Sequence, residues 1–512
     1  MRERIVAQDI VQIEPEDFPK VPFMLDGISS RFIREKRIIP IDMKNNVLKV
    51  LMANPGDGAT IDALRVAASC DVVVYGSDPR LIDEYLSKFY AQETQDFNQI
   101  IETMDEKGSA LSEEDADDVG HLKDLASEAP IIKVVNLLIS QAVENRASDI
   151  HIEPFEDEVK VRYRIDGVLH DIESVPKRLQ AAIVSRLKIM AKLNIAERRL
   201  PQDGRIRLIV GSREIDLRVS TIPVLFGESI VMRILDRESI VIDLDVLGFS
   251  PQTLDTFGQL INKPYGILLV TGPTGSGKTT TLYGALDKIN LPDKKIITVE
   301  DPVEYQIKGI NQIQLKSQIG LNFANTLRHI VRQDPDVIMI GEIRDLETAE
   351  IAIQSALTGH LVFSTLHTND APSAITRLMD LGVENFLLSS TIRGILAQRL
   401  VRKICPVCRV LDTSTANREE LRACCIDADV PLYRGQGCEK CANTGFYGRS
   451  GIFELLVVED ELRKLILRNA DANEIRDAAI RHGMKTLLED GADKVKAGIT
   501  TLSEVFRVTQ EV

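Results

Sequence analysis

The pattern of apolar and polar positions predicts a small folded module at the start of the chain and an unstructured segment after it. VLKVLMANP and CDVVVYGSD are short apolar runs typical of strands, whereas PRLIDEYLSKFY spaces its apolar residues as a helix does. We therefore predict an α/β module over residues 1–90. The acidic run SEEDADD at 112–118 has no apolar period, which favours a flexible acidic linker over residues 91–128.

Periodic apolar positions return after the predicted linker. Residues 131–145 carry a helical apolar stripe, EVKVRYRIDGVLH alternates as a strand does, and residues 213–235 give further strand-like runs. These segments predict a second domain of mixed helices and strands over residues 129–240. The rest of the chain divides into a third domain that begins near LGFSPQTLDTF, a cysteine-bearing insert and a helical C-terminal segment: residues 241–400, 401–450 and 451–512.

Length, composition and charge narrow the class of protein. The chain has 512 residues, of which 44% are apolar and 27% charged, so we expect about three or four domains of ordinary globular composition. The net charge of −15 argues against a general nucleic-acid coat or a direct binder of anionic lipid, because both favour a basic surface. The sequence shows neither a signal peptide nor an apolar run of about 18 residues, so we expect a cytoplasmic protein without a transmembrane helix.

One stretch of the third domain predicts a nucleotide site. The apolar strand Ile267–Val270 leads into GPTGSGKT, which is G-x-x-x-x-G-K-[ST] between a strand and a helix, as this motif requires. Its glycines let backbone N–H groups surround phosphate oxygens, Lys278 brings a positive charge to the β- and γ-phosphates, and Thr279 offers a hydroxyl to Mg²⁺. The predicted nucleotide-binding residues are Gly272, Pro273, Thr274, Gly275, Ser276, Gly277, Lys278, Thr279 and Thr280.

Acidic side chains follow two further apolar strands of this domain. The strand VIMI ends in Gly341-Glu342, where an acid suits the activation of water or a contact with Mg²⁺ through water; a plain core strand is the alternative. The strand in KKIITVEDPVEY ends in Glu300, Asp301 and Glu304. These three acids suit the positioning of Mg²⁺ and water, or they form only an acidic loop.

A histidine follows a third apolar strand. LVFST reads as a buried strand, and His367 follows it after one intervening residue. The ends of strands are where α/β sheets place ligands. His367 is therefore a candidate sensor of the γ-phosphate, with a hinge or hydrogen-bonding role as the alternative.

Six of the seven cysteines lie in one region of the chain. Four of them form two Cys-x-x-Cys pairs, Cys405 with Cys408 and Cys438 with Cys441. Four thiolates can close a tetrahedral Zn²⁺ site, but the 29 residues between the pairs exceed a compact ribbon spacing, which leaves free thiols and disulfides open. Two more cysteines between the pairs are potential competing ligands: Cys424 and Cys425.

Several long strings, taken in order, resemble the secretion-superfamily ATPases of type II secretion and type IV pilus assembly. They are ASDIHIEP, RYRIDG, RLPQDGRI, GPTGSGKTT, ITVEDPVEY, LRHIVRQDPDVIMIGEIRD, TGHLVFSTLHTNDA, AQRLVRKICPVC and GRSGIFELL, and they cover most of the chain after residue 128. The resemblance implies an α/β multidomain fold with a RecA-like P-loop ATPase domain, a PAS-like α+β domain and a small N-terminal α/β module. It also implies a tetracysteine zinc-binding insert and assembly into a homohexamer.

The resemblance also implies roles for single residues and a set of cofactors. Lys278 and Glu342 resemble the Walker A lysine and the Walker B catalytic glutamate, and the remaining acids and the histidine resemble the Asp box and the His box. Because Gly341 stands where other P-loop proteins carry a Walker B aspartate, the Asp box is the expected source of acids for Mg²⁺. Five arginines resemble residues that reach the nucleotide: Arg205, Arg218, Arg328, Arg332 and Arg449. The implied cofactors are ATP, Mg²⁺ and Zn²⁺.

The function that the resemblance implies is ATP hydrolysis coupled to pseudopilus assembly and protein export across the outer membrane by a type II secretion system. The N-terminal module, with VPFMLDGISSRFIREKRIIPI as its most similar stretch, is expected to dock on inner-membrane platform proteins, so that membrane association is peripheral and indirect. A type IV pilus extension ATPase shares every motif and is the nearest alternative. A nucleic-acid motor is disfavoured by the negative charge and by the lack of an aromatic and basic stacking segment, and a nucleotide-gated scaffold would bind ATP without turnover.

Overall fold

The computed structural model divides the chain into two compact units. They are Met1–Arg164 with Leu169–Asp236, and Ile165–Val168 with Arg237–Val512. The residues that the structure describes are 18, 32–33, 36–44, 47–68, 70–89, 119–210, 213–236, 243–316, 319–412, 421–422, 424, 426–427 and 430–509. Most of the predicted docking stretch at 21–41 and the predicted linker up to residue 118 therefore lie outside the described residues.

In the first part of the first unit, the described residues form a three-stranded sheet with two helices. Its strand order is β1-β2-β3, antiparallel between β1 and β2 and parallel between β2 and β3. Leu48, Val50 and Leu51 are fully buried on the middle strand, which agrees with the apolar run VLKVLM. The small α/β module is thus confirmed. Its elements are β1 (Ile38–Lys44), β2 (Val47–Met52), α1 (Gly58–Ala68), β3 (Asp71–Gly76) and α2 (Pro79–Phe89).

The second part of the first unit is a six-stranded sheet with three helices, in the order β6-β5-β4-β9-β8-β7. Tyr163 on the sheet is fully buried and its hydroxyl donates to the Leu138 carbonyl at 2.6 Å, which ties helix to sheet. The elements are α3 (Val119–Ala126), α4 (Ala129–Glu144), β4 (Ala147–Pro154), β5 (Glu158–Ile165), β6 (Val168–Pro176), α5 (Gln180–Ala191), β7 (Gln202–Val210), β8 (Arg213–Val224) and β9 (Gly227–Asp236).

Helix α3 corrects one predicted boundary. It lies inside the segment 91–128 that the acidic composition assigned to a linker, and it buries Leu122, Leu125 and Ala126. The acid-rich stretch ends just before the helix begins, so the local composition concealed the apolar spacing of VGHLKDLA. Among the described residues, the second domain therefore includes 119–128, which the prediction had assigned to the linker.

The second unit is built on a seven-stranded sheet with the order β12-β11-β13-β14-β10-β15-β18. All its pairings are parallel except that of β15 with β18. Its first elements are α6 (Pro251–Ile261), β10 (Gly266–Thr271), α7 (Lys278–Ile289), β11 (Ile296–Glu300), β12 (Asn311–Gln314), α8 (Phe323–Ile330), β13 (Val337–Ile340), α9 (Leu346–Leu357), β14 (Leu361–Leu366), α10 (Ala371–Asp380) and α11 (Asn385–Thr391).

The inner strands of this sheet are buried on both faces. Every residue of β10, β11, β13 and β14 is buried. Successive residues of β10 alternate between two apolar clusters, since Ile267 and Leu269 pack in one and Leu268 and Val270 in the other. Helices cover both faces of such a sheet, which explains why its strands read as continuous apolar runs.

The cysteine-bearing segment lies between the two antiparallel strands at one side of this sheet. The remaining elements are β15 (Ile392–Ile404), β16 (Arg409–Leu411), β17 (Tyr433–Gly435), β18 (Phe446–Val457), α12 (Asp460–Leu467), α13 (Ala472–Arg481), α14 (Leu487–Lys496) and α15 (Leu502–Thr509). The predicted C-terminal segment from 451 is helical only after β18, because residues 451–457 complete that strand. Within the described parts of the chain, no helix combines the length and the apolarity that crossing a bilayer requires.

Candidate nucleotide site and cysteine cluster

Four of the sequence-predicted motifs meet at one edge of the seven-stranded sheet. Each follows one of the parallel strands β10, β11, β13 and β14. The register pairs Thr271 with Leu366, and Ile340 with both Val299 and Ser364, so the carboxyl ends of these strands are level. This edge is where parallel α/β sheets bind ligands.

The loop between β10 and α7 has the shape that a phosphate-binding loop needs. Gly272, Gly275 and Gly277 have φ angles of 147°, 80° and 88°, which side-chain-bearing residues rarely adopt. A Cβ atom at Gly272 would lie 2.5 Å from the Gln398 carbonyl oxygen, and one at Gly277 would lie 2.8 Å from its side-chain nitrogen. The N-cap residue of α7 is Gly277, which has no side chain to cap the first N–H groups, so an anion at the loop would satisfy these donors.

Two buried side chains of the loop fit a bound phosphate. Lys278 Nζ donates to the carbonyl oxygens of Gly272 at 2.7 Å and of Pro273 at 3.0 Å. Burial lowers the pKa of Lys278 to about 8, against the opposing charge of Glu342, and a polyanion beside it would offset this desolvation. Ser276 is 4% exposed, and its Oγ has no hydrogen-bond partner among the described residues.

Glu342 follows the end of β13 and lies next to an arginine and a histidine. Its carboxylate pairs with the Arg344 guanidinium, and Oε2 lies 3.5 Å from His367 Nε2. Burial and the charge of Lys278 lower the pKa of His367 below its usual 6.5, so the imidazole is neutral at pH 7. The Glu342 side chain is 17% exposed, which leaves it accessible to a water molecule at the loop.

Short hydrogen bonds between strand ends fix these groups relative to one another. Thr365 Oγ1 donates to the Gly341 carbonyl at 2.6 Å, and Ile343 N donates to the Thr365 carbonyl at 3.1 Å. The hydroxyls of Thr271 and Thr368 lie 2.8 Å apart. The His367 segment is therefore tied both to the end of β13 and to the strand that precedes the nucleotide loop.

The three predicted acids at and just after the end of β11 have different surroundings. Glu300 is 3% exposed and accepts hydrogen bonds from the side chains of Tyr283, Thr298 and Gln312. Asp301 is exposed and Glu304 is partly buried. The structure thus separates the acids into one enclosed carboxylate and two with access to solvent.

The four paired cysteines converge on one point. Their Sγ atoms all lie within 4.8 Å of one another. The separations are 3.8 Å from Cys405 to Cys438, 3.9 Å from Cys408 to Cys441 and 3.7 Å from Cys438 to Cys441. A disulfide needs about 2.05 Å, whereas a tetrahedron with Zn–S bonds of about 2.3 Å has edges of about 3.8 Å. The cluster has the dimensions of a tetrathiolate metal site.

Backbone donors stabilise the thiolate form of Cys441, one of the four cysteines. Cys438 N and Gly445 N lie 3.2 Å and 3.3 Å from Cys441 Sγ. Burial raises the pKa of Cys441, but these N–H groups outweigh it and lower the pKa to about 7. Cys424 is buried with the main apolar cluster and is not one of the four converging thiols, whereas Cys425 lies outside the described residues.

Comparison with known proteins places the chain in a family. Residues 124–507 match the family described as "Type II/IV secretion system protein", and residues 8–96 match the MshEN domain. The chain belongs to the type II/IV secretion system protein family. This membership confirms the resemblance and the predicted RecA-like α/β class.

Individual relatives agree with this family. Type II secretion system protein E of Xanthomonas campestris is 54% identical, over 99% of this chain and 88% of the relative. The type IV pilus assembly ATPase PilB of Myxococcus xanthus is 43% identical, over 96% of this chain and 88% of the relative. The solved structure of the Legionella pneumophila ATPase DotB has a TM-score of 0.55 and 22% identity, covering 73% of this chain and 94% of that chain, and supports the fold alone.

The five arginines that the family resemblance singled out do not gather at the nucleotide loop within one unit. Arg205 and Arg218 face each other in register on β7 and β8 of the first unit, where Arg205 pairs with Asp216. In the second unit Arg328 on α8 lies 2.5 Å from Glu347, Arg332 is exposed, and Arg449 on β18 lies 3.9 Å from Asp166. Their assignment to the nucleotide stays a prediction.

Sequence reasoning missed three polar residues that the structure of this family member brings to the site. Gln398 accepts a hydrogen bond from Thr281 at 2.7 Å, and Arg399, 8% exposed, donates to the Asn369 carbonyl at 2.8 Å. Two polar residues inside the apolar run of β15 were the available signal. Arg344 lies two residues after Glu342 and forms an ion pair with its carboxylate.

Proposed function

We propose that the chain is an ATP hydrolase that couples turnover to pseudopilus assembly and protein export across the outer membrane by a type II secretion system. The observation that carries this proposal is the joint position of Lys278, Glu342 and His367 around a glycine loop at one sheet edge. The similarity to type II secretion system protein E over nearly the whole chain supports the choice of machine.

In the proposed reaction each side chain has a defined task. The loop N–H groups and Lys278 bind the phosphates, and Glu342 accepts a hydrogen bond from the attacking water and takes up its proton. The neutral His367 orients Glu342 or the terminal phosphate by hydrogen bonding. Mg²⁺, held by Thr279 and by the two acids with access to solvent, Asp301 and Glu304, would supply charge neutralisation for the phosphates.

Three further parts of the chain are proposed to serve metal binding, assembly and docking. The four clustered thiolates are proposed to hold a structural Zn²⁺, since a closed tetrathiolate site leaves no position for water. The five arginines named above are proposed to contact phosphate charge in a homohexamer, for which a planar guanidinium is suited. The N-terminal module, which matches the MshEN domain, is proposed to dock the hexamer on inner-membrane platform proteins, at the cytoplasmic face.

Replacement of Glu342 by Gln tests the enzymatic part of the proposal. We expect phosphate release with Mg²⁺-ATP to fall by about 10²-fold or more, because the base is lost, while a fluorescent ATP analogue still binds. Glu350→Gln, at an exposed acid of α9, is the matched control and should leave turnover unchanged. Equal turnover of Glu342→Gln and the wild type would remove Glu342 from the reaction, and absence of turnover in the wild type would favour a nucleotide-gated scaffold.

A type IV pilus extension ATPase is the second candidate, favoured by the 43% identity to PilB of Myxococcus xanthus. A pull-down from the native membranes separates the two machines, with the full chain as bait and a chain lacking residues 1–118 as control. Recovery of a single-span secretion-platform protein by the full chain alone supports type II secretion. Recovery of pilus-platform proteins transfers the assignment to pilus extension.

A further inference from the structure

We propose that Glu300, although it belongs to the acidic segment predicted to serve catalysis, is a positioning residue that fixes both the helix of the nucleotide loop and the segment bearing Glu304. The inference rests on the proposed ATPase function and divides the Asp box into a structural acid and two solvent-accessible ones. Glu300 thus contributes through the groups it holds and not through contact with Mg²⁺ or water.

The surroundings of Glu300 leave its carboxylate fully enclosed. It is 3% exposed at the end of β11, where Thr298 and Tyr283 are completely buried. Oε2 accepts from the Tyr283 hydroxyl, and Oε1 accepts from Thr298 Oγ1 at 2.6 Å and Gln312 Nε2 at 3.2 Å. Three donors from the protein satisfy a buried carboxylate without a cation.

Tyr283 connects this carboxylate to the nucleotide loop. It lies five residues after Lys278 on α7, whose first turn forms part of the loop. Burial, reinforced by the negative charge of Glu300, raises the pKa of Tyr283 strongly, so the phenol keeps its proton and donates it. On the other side of the helix, Thr281 Oγ1 donates to Gln398 Oε1 at 2.7 Å. Two buried hydrogen bonds therefore hold the start of α7 between β11 and β15.

Gln312 extends the same network to the Glu304 segment. Its Nε2 also donates to the Tyr305 carbonyl at 3.0 Å, and its Oε1 accepts from Ile307 N at 2.8 Å. The Tyr305 ring packs edge-on against Tyr283 with centroids 4.4 Å apart. The residue that follows Glu304 is thus fixed by the side chain that also contacts Glu300.

Substitutions at Glu300 distinguish a positioning role from a catalytic one. The single oxygen of a Gln side chain can accept from Thr298 and Gln312 while its Nε2 donates to the Tyr283 hydroxyl. Glu300→Gln therefore keeps these contacts with one of them reversed, and should keep turnover within about threefold of the wild type. Glu300→Ala should lower kcat by about tenfold or more, because the loop helix loses its anchor. The Mg²⁺ concentration for half-maximal activity should stay within about twofold of the wild type in both variants. All measurements are made well below the melting temperature of each variant, so that a simple loss of folded protein does not contribute.

Tyr283→Phe provides a second, nearly isosteric test if Glu300→Ala does not fold. It removes only the phenolic donor and should lower kcat to a similar extent as Glu300→Ala. In the Glu300→Ala background the same change should add little, since the two residues act through one hydrogen bond. Asp301→Asn, at the adjacent exposed acid, serves as the comparison for Mg²⁺ dependence.

The outcomes separate this inference from the proposed function. If Glu300→Gln is as inactive as Glu300→Ala and needs about tenfold more Mg²⁺, while Tyr283→Phe behaves as the wild type, Glu300 is a metal or water ligand and the inference is overturned. Additive losses in the double variant would also overturn it. If the wild type shows no Mg²⁺-dependent turnover, the proposed function fails instead, and the same coupling is then measured in the affinity for a fluorescent ATP analogue.

Discussion

At the scale of single residues, two glycines of the nucleotide loop occupy positions where a Cβ atom would be strained and crowded. Gly272 and Gly277 combine positive φ angles with close approach to Gln398 on β15. Gly275 also has a positive φ but open space beside it. The shape of the loop therefore depends on a neighbouring strand as well as on its own conformational freedom.

Gly277→Ala should weaken ATP binding by about tenfold or more, because an alanine there is strained and its methyl group meets the Gln398 side chain. Titration with a fluorescent ATP analogue measures the effect. Gly258→Ala is the matched control, since Gly258 lies within α6 with open space around it. It should leave affinity unchanged and stabilise the fold by about 0.5–1 kcal/mol. Unaltered affinity in Gly277→Ala would contradict the packing described for the loop.

The residues of the site differ in how far the sequence reveals them. Lys278 was predictable because a phosphate loop is encoded by local spacing between one strand and one helix. Gln398 and Arg399 were not, because they reach the loop through the pairing of β15 with β10, which joins segments more than a hundred residues apart. The division between Glu300 and its neighbouring acids was equally hidden, since side-chain direction at the end of a strand depends on tertiary packing.

At the scale of elements, the last helix of the chain is anchored to the strand that leads into the cysteine cluster. Glu504 on α15 is 3% exposed in its side chain and contacts Arg402 Nη2 at 2.7 Å and Arg507 Nη2 at 2.8 Å. Ile404 N also donates to the Ile499 carbonyl at 2.8 Å. The C-terminal helices thus secure β15 immediately before Cys405.

The Glu504 anchor predicts a loss of stability in acid. Burial raises the pKa of Glu504, but hydrogen bonds from Arg507 and Arg402 outweigh it and lower the pKa to about 2. Because the folded value lies below the ordinary 4.5, the contribution is complete above about pH 4.5 and disappears as pH falls toward 2. It amounts to roughly 2–3 kcal/mol.

Denaturant unfolding at pH 7 and at pH 3.5 measures this contribution. Glu504→Gln should be less stable than the wild type at pH 7, and the difference between the two should narrow at pH 3.5. Glu347→Gln, at an exposed ion pair on α9, is the comparison and should show little change at either pH. A difference between Glu504→Gln and the wild type that is independent of pH would rule out the carboxylate as its source.

The cysteine cluster lies at the adjoining ends of β15 and β18. Removal of one of its four thiolates should release the metal. We expect purified protein to hold about one Zn²⁺ per chain after dialysis, and Cys438→Ser to hold none, because three thiolates bind zinc more weakly than four. Elemental analysis measures both. Cys424→Ala, outside the four converging thiols, should retain the metal. Metal-free wild-type protein would end the proposal of a structural zinc.

At the scale of the whole molecule, sequence patterns predicted the order of the domains along the chain better than the residues at which they begin and end. The strands and helices of the nucleotide domain were readable because buried parallel strands give continuous apolar runs between helices. Helix α3 was missed because it follows directly after an acid-rich stretch, and β18 was divided because the predicted insert was bounded by its cysteines. Boundaries of this kind are decided by which surfaces pack, and not by local composition.

Truncation tests the corrected boundary. A chain that begins at residue 119 should melt at the same temperature as the full chain in the transition of its second domain. A chain that begins at 129 loses Leu122, Leu125 and Ala126, which are buried, and should be less stable by about 3 kcal/mol or more. Thermal unfolding of the two truncated chains compares them directly. Equal melting temperatures would show that α3 contributes nothing to the fold.

Strand β15 contacts the nucleotide loop through Gln398 and ends beside Cys405. The seven residues from Arg399 to Cys405 span roughly 20 Å of extended chain, so one strand leads from the phosphate loop to the thiolate cluster. Cobalt in place of zinc would give the cluster visible absorption and paramagnetism. The cluster would then serve as an intrinsic spectroscopic probe. Movements of the sheet edge that carries the nucleotide loop could be followed with it during turnover, without an added label.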